Sequence, residues 1–276
     1  MKIRTAVIIA IVLIVLSVFF TSLYFTHKKQ DLTAEQIQAL LNLATNNSVK
    51  ILKSFPAIGN LQGFVVTSNK RHTQKGIVYV NKRYRYVISG VLINSQGKNI
   101  VEQDFNKYIE PASAVKAFKA IDTTHYVEQG KADAPHKAYI VVDPNCIFCH
   151  KLYEALKPMI AKGQLAVRWI IVGIIKPSSK AKAAAILSAN NPSQALEANE
   201  RGFNESQEEG GITPLKNPSA KVKQELQNNI TFMMKNQITA TPVILYRTNS
   251  NVLKMETGLP QGKSFDAMIK QMGNQF

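Results

Sequence analysis

Ala138-Tyr139-Ile140-Val141-Val142-Asp143-Pro144-Asn145-Cys146-Ile147-Phe148-Cys149-His150 is the stretch on which the fold turns. Its apolar run, residues 138–142, reads as a buried strand closed by an Asp-Pro-Asn turn. Residues 150–160 read as a helix with Leu152, Leu156 and Met159 inward, and Pro158 is expected to kink or shorten it. Strand, turn, Cys-x-x-Cys and helix put the first cysteine at a helix start. There the unpaired backbone N–H groups and the helix dipole favour a negative charge. A thiolate is the attacking form of cysteine, and such a position lowers the thiol from ~8.5 toward roughly 3.5–7.5. The second cysteine, one turn further in, is placed to attack a mixed disulfide and release the bound partner. Cys146 is thus the expected nucleophile and Cys149 the expected resolving thiol.

Further toward the C-terminus, strands and helices alternate. Residues 165–174 read as a strand ended by Lys176-Pro177, with helices over 180–189, 191–201 and 218–234 and a loop at Gly210-Gly211. A strand at 241–246, a turn at 249–251, a strand at 252–256 and a helix at 262–272 close the chain. This alternation is α/β grammar. Toward the N-terminus the pattern changes. Residues 128–135, with Gly130, Asp133 and Pro135, read as a linker. Residues 104–121 are helical with an interruption near Pro111. Strands at 63–66, 76–80 and 83–93 suggest an antiparallel sheet with one wet face, Tyr84 and Tyr86 pointing to its buried side. A helix over 32–52, opened by Thr33 with Gln36 in capping-box position and ended by Phe55-Pro56, precedes them.

Lys2 and Arg4 introduce an apolar stretch, residues 6–25, that His27, Lys28 and Lys29 end. About 20 apolar residues are enough to cross a bilayer. No good small-residue cleavage site follows, so this exported chain carries either a cleaved signal or an inner-membrane anchor at 6–25.

The 276 residues carry a formal charge of +16, and residues 36–101 hold nine Lys or Arg and no acid. A basic, tyrosine-bearing strand can stack on nucleic-acid bases, but in an exported protein no nucleic-acid partner is expected. Two cysteines, three apart, cannot form a disulfide framework and are half a zinc site at best. With His150 they match the C-x-x-C-H pattern of c-type haem attachment, yet they follow a buried strand inside an α/β pattern. Neither metal nor cofactor is expected. The polar Asp-Pro-Asn turn suggests an exposed tip, against a reading of two silent buried thiols. Asp143 reads as a residue of that turn rather than a catalytic carboxylate. The second signal is Thr241-Pro242 at the start of a strand, because X-Pro bonds are where cis peptides occur.

On these motifs the chain resembles the periplasmic disulfide isomerases of the DsbC and DsbG type, DsbG most closely. The residues that carry the resemblance are Ala132-Asp133-Ala134-Pro135, Val142-Asp143-Pro144, the cysteine pair, Val172-Gly173-Ile174-Ile175-Lys176-Pro177, Ala183-Ala184-Ala185-Ile186-Leu187, Thr241-Pro242 and Gly258-Leu259-Pro260. The resemblance implies an α+β, cystatin-like dimerisation domain (31–102), a linker helix (103–130) and an α/β thioredoxin-like domain with a helical insertion (131–276), after the N-terminal segment 1–30. It implies a homodimer acting on unfolded or oxidised proteins in the periplasm, kept reduced by a membrane electron donor of the DsbD type. It also implies reduction of cysteine sulfenic acids. Cys146 would attack, Cys149 resolve, and Thr241 and Pro242, on a cis-proline loop, would shape the redox site. Ile147-Phe148 departs from the Pro-Tyr and Gly-Tyr of the family, and these residues tune the redox balance. A holdase-like chaperone that binds unfolded envelope proteins is the alternative.

Overall fold

The structure, a computed structural model, describes residues 31–70, 74–83 and 85–276. The expected export segment and Tyr84 lie outside the described residues. Among the described residues no helix is long and apolar enough to cross a membrane. The chain divides into two compact units, Met1–Phe105 and Asn106–Phe276.

In the N-terminal unit, helix α1 (Ala34–Thr45) opens with the capping box of Thr33 and Gln36. It stops earlier than the sequence suggests. Asn46 and Asn47 both adopt the left-handed conformation, at φ 49° and 56°, which asparagine tolerates better than most residues. Residues past this stop become strand β1 (Val49–Pro56), so the helix expected over 32–52 ends at Thr45 and its last four positions are strand. Strands β2 (Leu61–Ser68), β3 (Lys75–Asn81) and β4 (Tyr86–Ile88) complete an antiparallel sheet in the order β1-β2-β3-β4. Ile37 and Leu41 of α1 pack on Phe64, Val66, Val78 and Val80. Gly63 has no side chain because the Phe55 ring lies over it; a Cβ there would meet that ring at 2.1 Å. β4 is far shorter than the strand expected over 83–93. Arg85 at φ 58° and Gly90 at φ 125° bend the backbone out of extension on either side. Tyr86 is exposed, not on a buried face.

Helix α2 (Ile100–Tyr108) runs across the division between the units. In the C-terminal unit α3 (Ala112–Ala120) follows, then strand β5 (Tyr126–Gln129). β5 takes Glu128 and Gln129 out of the linker expected over 128–135. It is short and half polar, so its own pattern is weak, but it pairs antiparallel with β7 (Leu165–Ile171) at the sheet edge. The sheet order is β5-β7-β6-β8-β9, with β6 (His136–Val142) at its centre, β8 (Val243–Arg247) and β9 (Leu253–Thr257) beyond. β6 and β7 are parallel and joined through helix α4 (Ile147–Ala161), which runs on past Pro158 to its end.

β6 is buried on both sides, and its period of two sorts its residues between two cores. Ala138, Ile140 and Val142 join Leu152 and Leu156 of α4 and Ile186 of α5 (Ser179–Ser188) on one face. Tyr139 and Val141 join Ala117 of α3 and Phe232 and Met233 of α7 (Ala220–Lys235) on the other. Leu196 of α6 (Pro192–Arg201) and Met268 of α8 (Lys263–Gln271) also belong to the first face. Cys146 and Cys149 are part of that first core, at the C-terminal end of β6.

Candidate active site

Cys146 is the N-cap of α4, in extended conformation (φ −88°, ψ 113°), where its sulfur accepts from the Cys149 backbone N–H at 3.2 Å. The Cys146 thiol donates to the Thr241 carbonyl at 3.5 Å, and Thr241-Pro242 is a cis peptide. The structure therefore brings Cys146, Cys149, Thr241 and Pro242 together. Ile147 and Phe148 form the first turn between the cysteines, Phe148 with its ring exposed. Both thiols are free.

The two thiols are separated in acidity. The hydrogen bond from the Cys149 thiol pulls Cys146 down to about 7, against burial, and the backbone N–H groups of Cys149 and Phe148 help. Burial pushes Cys149 well above the ordinary thiol, and the neighbouring Cys146 sulfur adds to this. The Thr241 hydroxyl, buried and otherwise without a partner, favours the charged form of either sulfur. Cys146 can thus be a thiolate near neutral pH while Cys149 keeps its proton.

The expectation of an exposed tip is corrected. Cys146 is 5% and Cys149 2% exposed, and the turn before them is buried as well. Its polarity is satisfied internally rather than by water. Asp143 accepts four hydrogen bonds, from the Ile174 N–H (2.7 Å), Ile175 N–H (3.1 Å), Asn145 N–H (2.9 Å) and Ser179 hydroxyl (2.7 Å). With every acceptor site on its carboxylate taken up, Asp143 is a structural residue of the turn. Asn145 donates to the Ser178 and Ser179 hydroxyls, at 2.9 and 3.0 Å, and accepts from the Gly210 N–H at 2.9 Å and buried Lys182 at 3.3 Å. Lys182 is itself neutralised by Glu209 at 2.6 Å. A Cβ on Gly210 would fall 2.4 Å from the Pro144 carbonyl, so only glycine lets this loop close on the turn.

Sequence reasoning did not single out Lys182, Asn199, Glu200, Glu209 or Gly210. They lie on the helices and loops that follow β7, 33 to 64 positions beyond the cysteines, and no spacing rule links them to the pair. Gly210-Gly211 was visible only as a loop. His150, which completes the haem-like pattern, instead faces Glu200, with Nδ1 to Oε2 at 2.9 Å. Among the described residues no group of three or more His, Cys, Asp or Glu is placed to hold a metal.

Residues 124–273 match the thioredoxin-like domain family. The chain is 28% identical to the thiol:disulfide interchange protein DsbG of Pseudomonas aeruginosa, over 83% of this chain and 86% of that one. It is 28% identical to the DsbG of Escherichia coli, over 88% of this chain and 94% of that one. Among solved structures it is similar to Helicobacter pylori DsbG, with 17% identity and a TM-score of 0.42, over 76% of this chain and 98% of that one.

Proposed function

The chain belongs to the thioredoxin-like domain family, and we propose that it is a DsbG-type thiol–disulfide interchange enzyme in which Cys146 attacks and Cys149 resolves. The observation that carries the assignment of roles is the split between the two sulfurs. One caps a helix and is pulled toward about 7; the other lies one turn inside and is pushed up by burial.

The Cys146 thiolate attacks one sulfur of a substrate disulfide. The substrate S–S bond breaks, its electron pair leaves with the other sulfur as a thiolate, and a mixed disulfide to Cys146 forms. Cys149 then gives its proton to the departed thiolate and attacks the Cys146 sulfur. The substrate leaves reduced by two electrons, and Cys146–Cys149 is a disulfide. If a different thiolate of the substrate attacks the substrate sulfur of the mixed disulfide first, a new substrate disulfide forms, the Cys146 thiolate is expelled, and the substrate is isomerised with the enzyme still reduced. With a sulfenic acid the leaving group is hydroxide, which takes a proton and departs as water. Thr241 and Pro242 frame the sulfur, and Phe148 offers an apolar edge to the arriving chain. Ile147 completes the inter-cysteine pair that sets the redox balance.

The substrates are proteins, unfolded or wrongly oxidised. A membrane donor of the DsbD type restores the dithiol. The N-terminal unit, a helix packed on a four-stranded antiparallel sheet, serves as a cystatin-like dimerisation domain, and the enzyme works in the periplasm as a homodimer. The apolar stretch 6–25 supports export. Reshuffling of a disulfide-scrambled protein tests the reading. The full chain should speed it, and Cys146→Ser should do no better than buffer; equal rates for the two would remove the proposal.

A further inference from the structure

Glu200 is a buried carboxylate on α6 whose two oxygens reach both sides of the cysteine pair. Oε2 lies 2.9 Å from His150 Nδ1, and His150 directly follows Cys149. Oε1 accepts from the Asn199 side chain at 3.0 Å, and the same amide nitrogen donates to the Pro144 carbonyl at 3.0 Å, two residues before Cys146. The imidazole is stacked on Phe203, with ring centres 4.4 Å apart and planes 6° from parallel. The His150 backbone N–H closes onto the Cys146 carbonyl at 3.0 Å. Between the two grips lie only Asn145, Cys146, Ile147, Phe148 and Cys149. We propose that Glu200 is a positioning residue for the redox pair. It clamps residues 144–150 at both ends, so that the helix-start N–H groups stay aimed at the Cys146 sulfur.

The proposal rests on Cys146 being the attacking thiol. The grip on His150 is ionic. Glu200, hydrogen-bonded to it, holds the imidazolium above the usual histidine range against the opposing effect of burial. Glu154 on the same helix and Glu205 in the loop after α6 add to that field. A raised histidine stabilises below its unfolded value and loses this contribution as pH rises through its folded value. The clamp is therefore at its strongest on the acid side of the Cys146 midpoint and weakens as pH rises through the raised histidine value. Cys149 is the group that faces Cys146 itself.

Rates of alkylation of Cys146 by iodoacetamide, measured from pH 5 to 10 on the reduced full chain, test this, with mass spectrometry confirming the site. Glu200→Gln keeps the volume and removes the charge; His150→Gln breaks the same link from the other side. In both, the midpoint should move upward, with the rate at pH 6 falling by about threefold, equivalent to half a pH unit. The rate at the alkaline plateau should match the natural chain, because there the thiolate needs no help. A general loosening would change the plateau and leave the midpoint in place. If Glu200→Gln does not fold, His150→Gln decides. Midpoints coincident with that of the natural chain would overturn the proposal. A natural midpoint near that of an ordinary thiol would instead overturn the assignment of Cys146, and this proposal with it.

Discussion

Asp143→Asn is the substitution that most directly challenges the buried turn. The side chain is 1% exposed and accepts from three backbone N–H groups and one hydroxyl. An amide of the same shape has a single acceptor oxygen. Its best placement turns that oxygen to the Ile174 and Ile175 N–H groups. The NH2 then faces the Asn145 N–H, which cannot accept, and the Ser179 hydroxyl, which already accepts from the Asn145 side chain and the Lys176 N–H. One buried N–H left unpaired costs about 1–3 kcal/mol. The remaining bonds also lose their charged acceptor, at about 1 kcal/mol each. The sum is a loss of about 3–5 kcal/mol, a large part of the ~5–15 kcal/mol that holds a typical protein folded. Trp169, the chain's one tryptophan, is fully buried in this same sheet, so its fluorescence in urea follows the C-terminal unit. With a slope of about 2 kcal/mol per molar urea, the midpoint should fall by about 2 M. A loss below about 1 kcal/mol would show that water or a shifted loop satisfies the orphaned groups, and that the turn is not held as described.

Thr241→Val removes the orphaned hydroxyl beside both sulfurs, so the Cys146 alkylation midpoint should rise from about 7 while the fold is kept; an unchanged midpoint would deny the hydroxyl any part in it. Gly210→Ala would press a methyl group to 2.4 Å from the Pro144 carbonyl and 2.1 Å from Asn199 Oδ1. Overpacking of this kind costs about 1–3 kcal/mol, measurable in the same urea titration. Leu152→Ala, at a fully buried position of α4, should cost about 2–5 kcal/mol, and a smaller loss would mean the cavity collapses.

Much of this was legible from residue order because local rules carry it. The apolar run 138–142, the turn and the Cys-x-x-Cys of a helix start are read within a dozen residues. Where a partner distant in sequence decides the outcome, local reading fails. Tyr126–Gln129 becomes a strand only because β7 offers it an edge. Residues 49–51 leave the helix because β2 pairs with them and two asparagines stop α1. The polar turn looked exposed because Asp143 and Asn145 are ordinarily solvated types, whereas their partners come from α5, the Ile174-Ile175 loop and Gly210. Glu200 and Asn199 were invisible for the same reason: their meaning lies in Pro144 and His150, more than 45 positions away.

The acidity of Cys146 in the reduced full chain bears most directly on the roles of the pair. A folded-state thiol lowered from 9.0 to about 7 adds stability to the reduced protein as pH rises between those values, and this is lost as pH falls through about 7. Thiolate absorbance near 240 nm, followed from pH 5 to 10, should show one step near pH 7, absent in Cys146→Ser, with Cys149 still protonated where that step is complete. A single step near 9, or a first step that survives Cys146→Ser, would contradict the account.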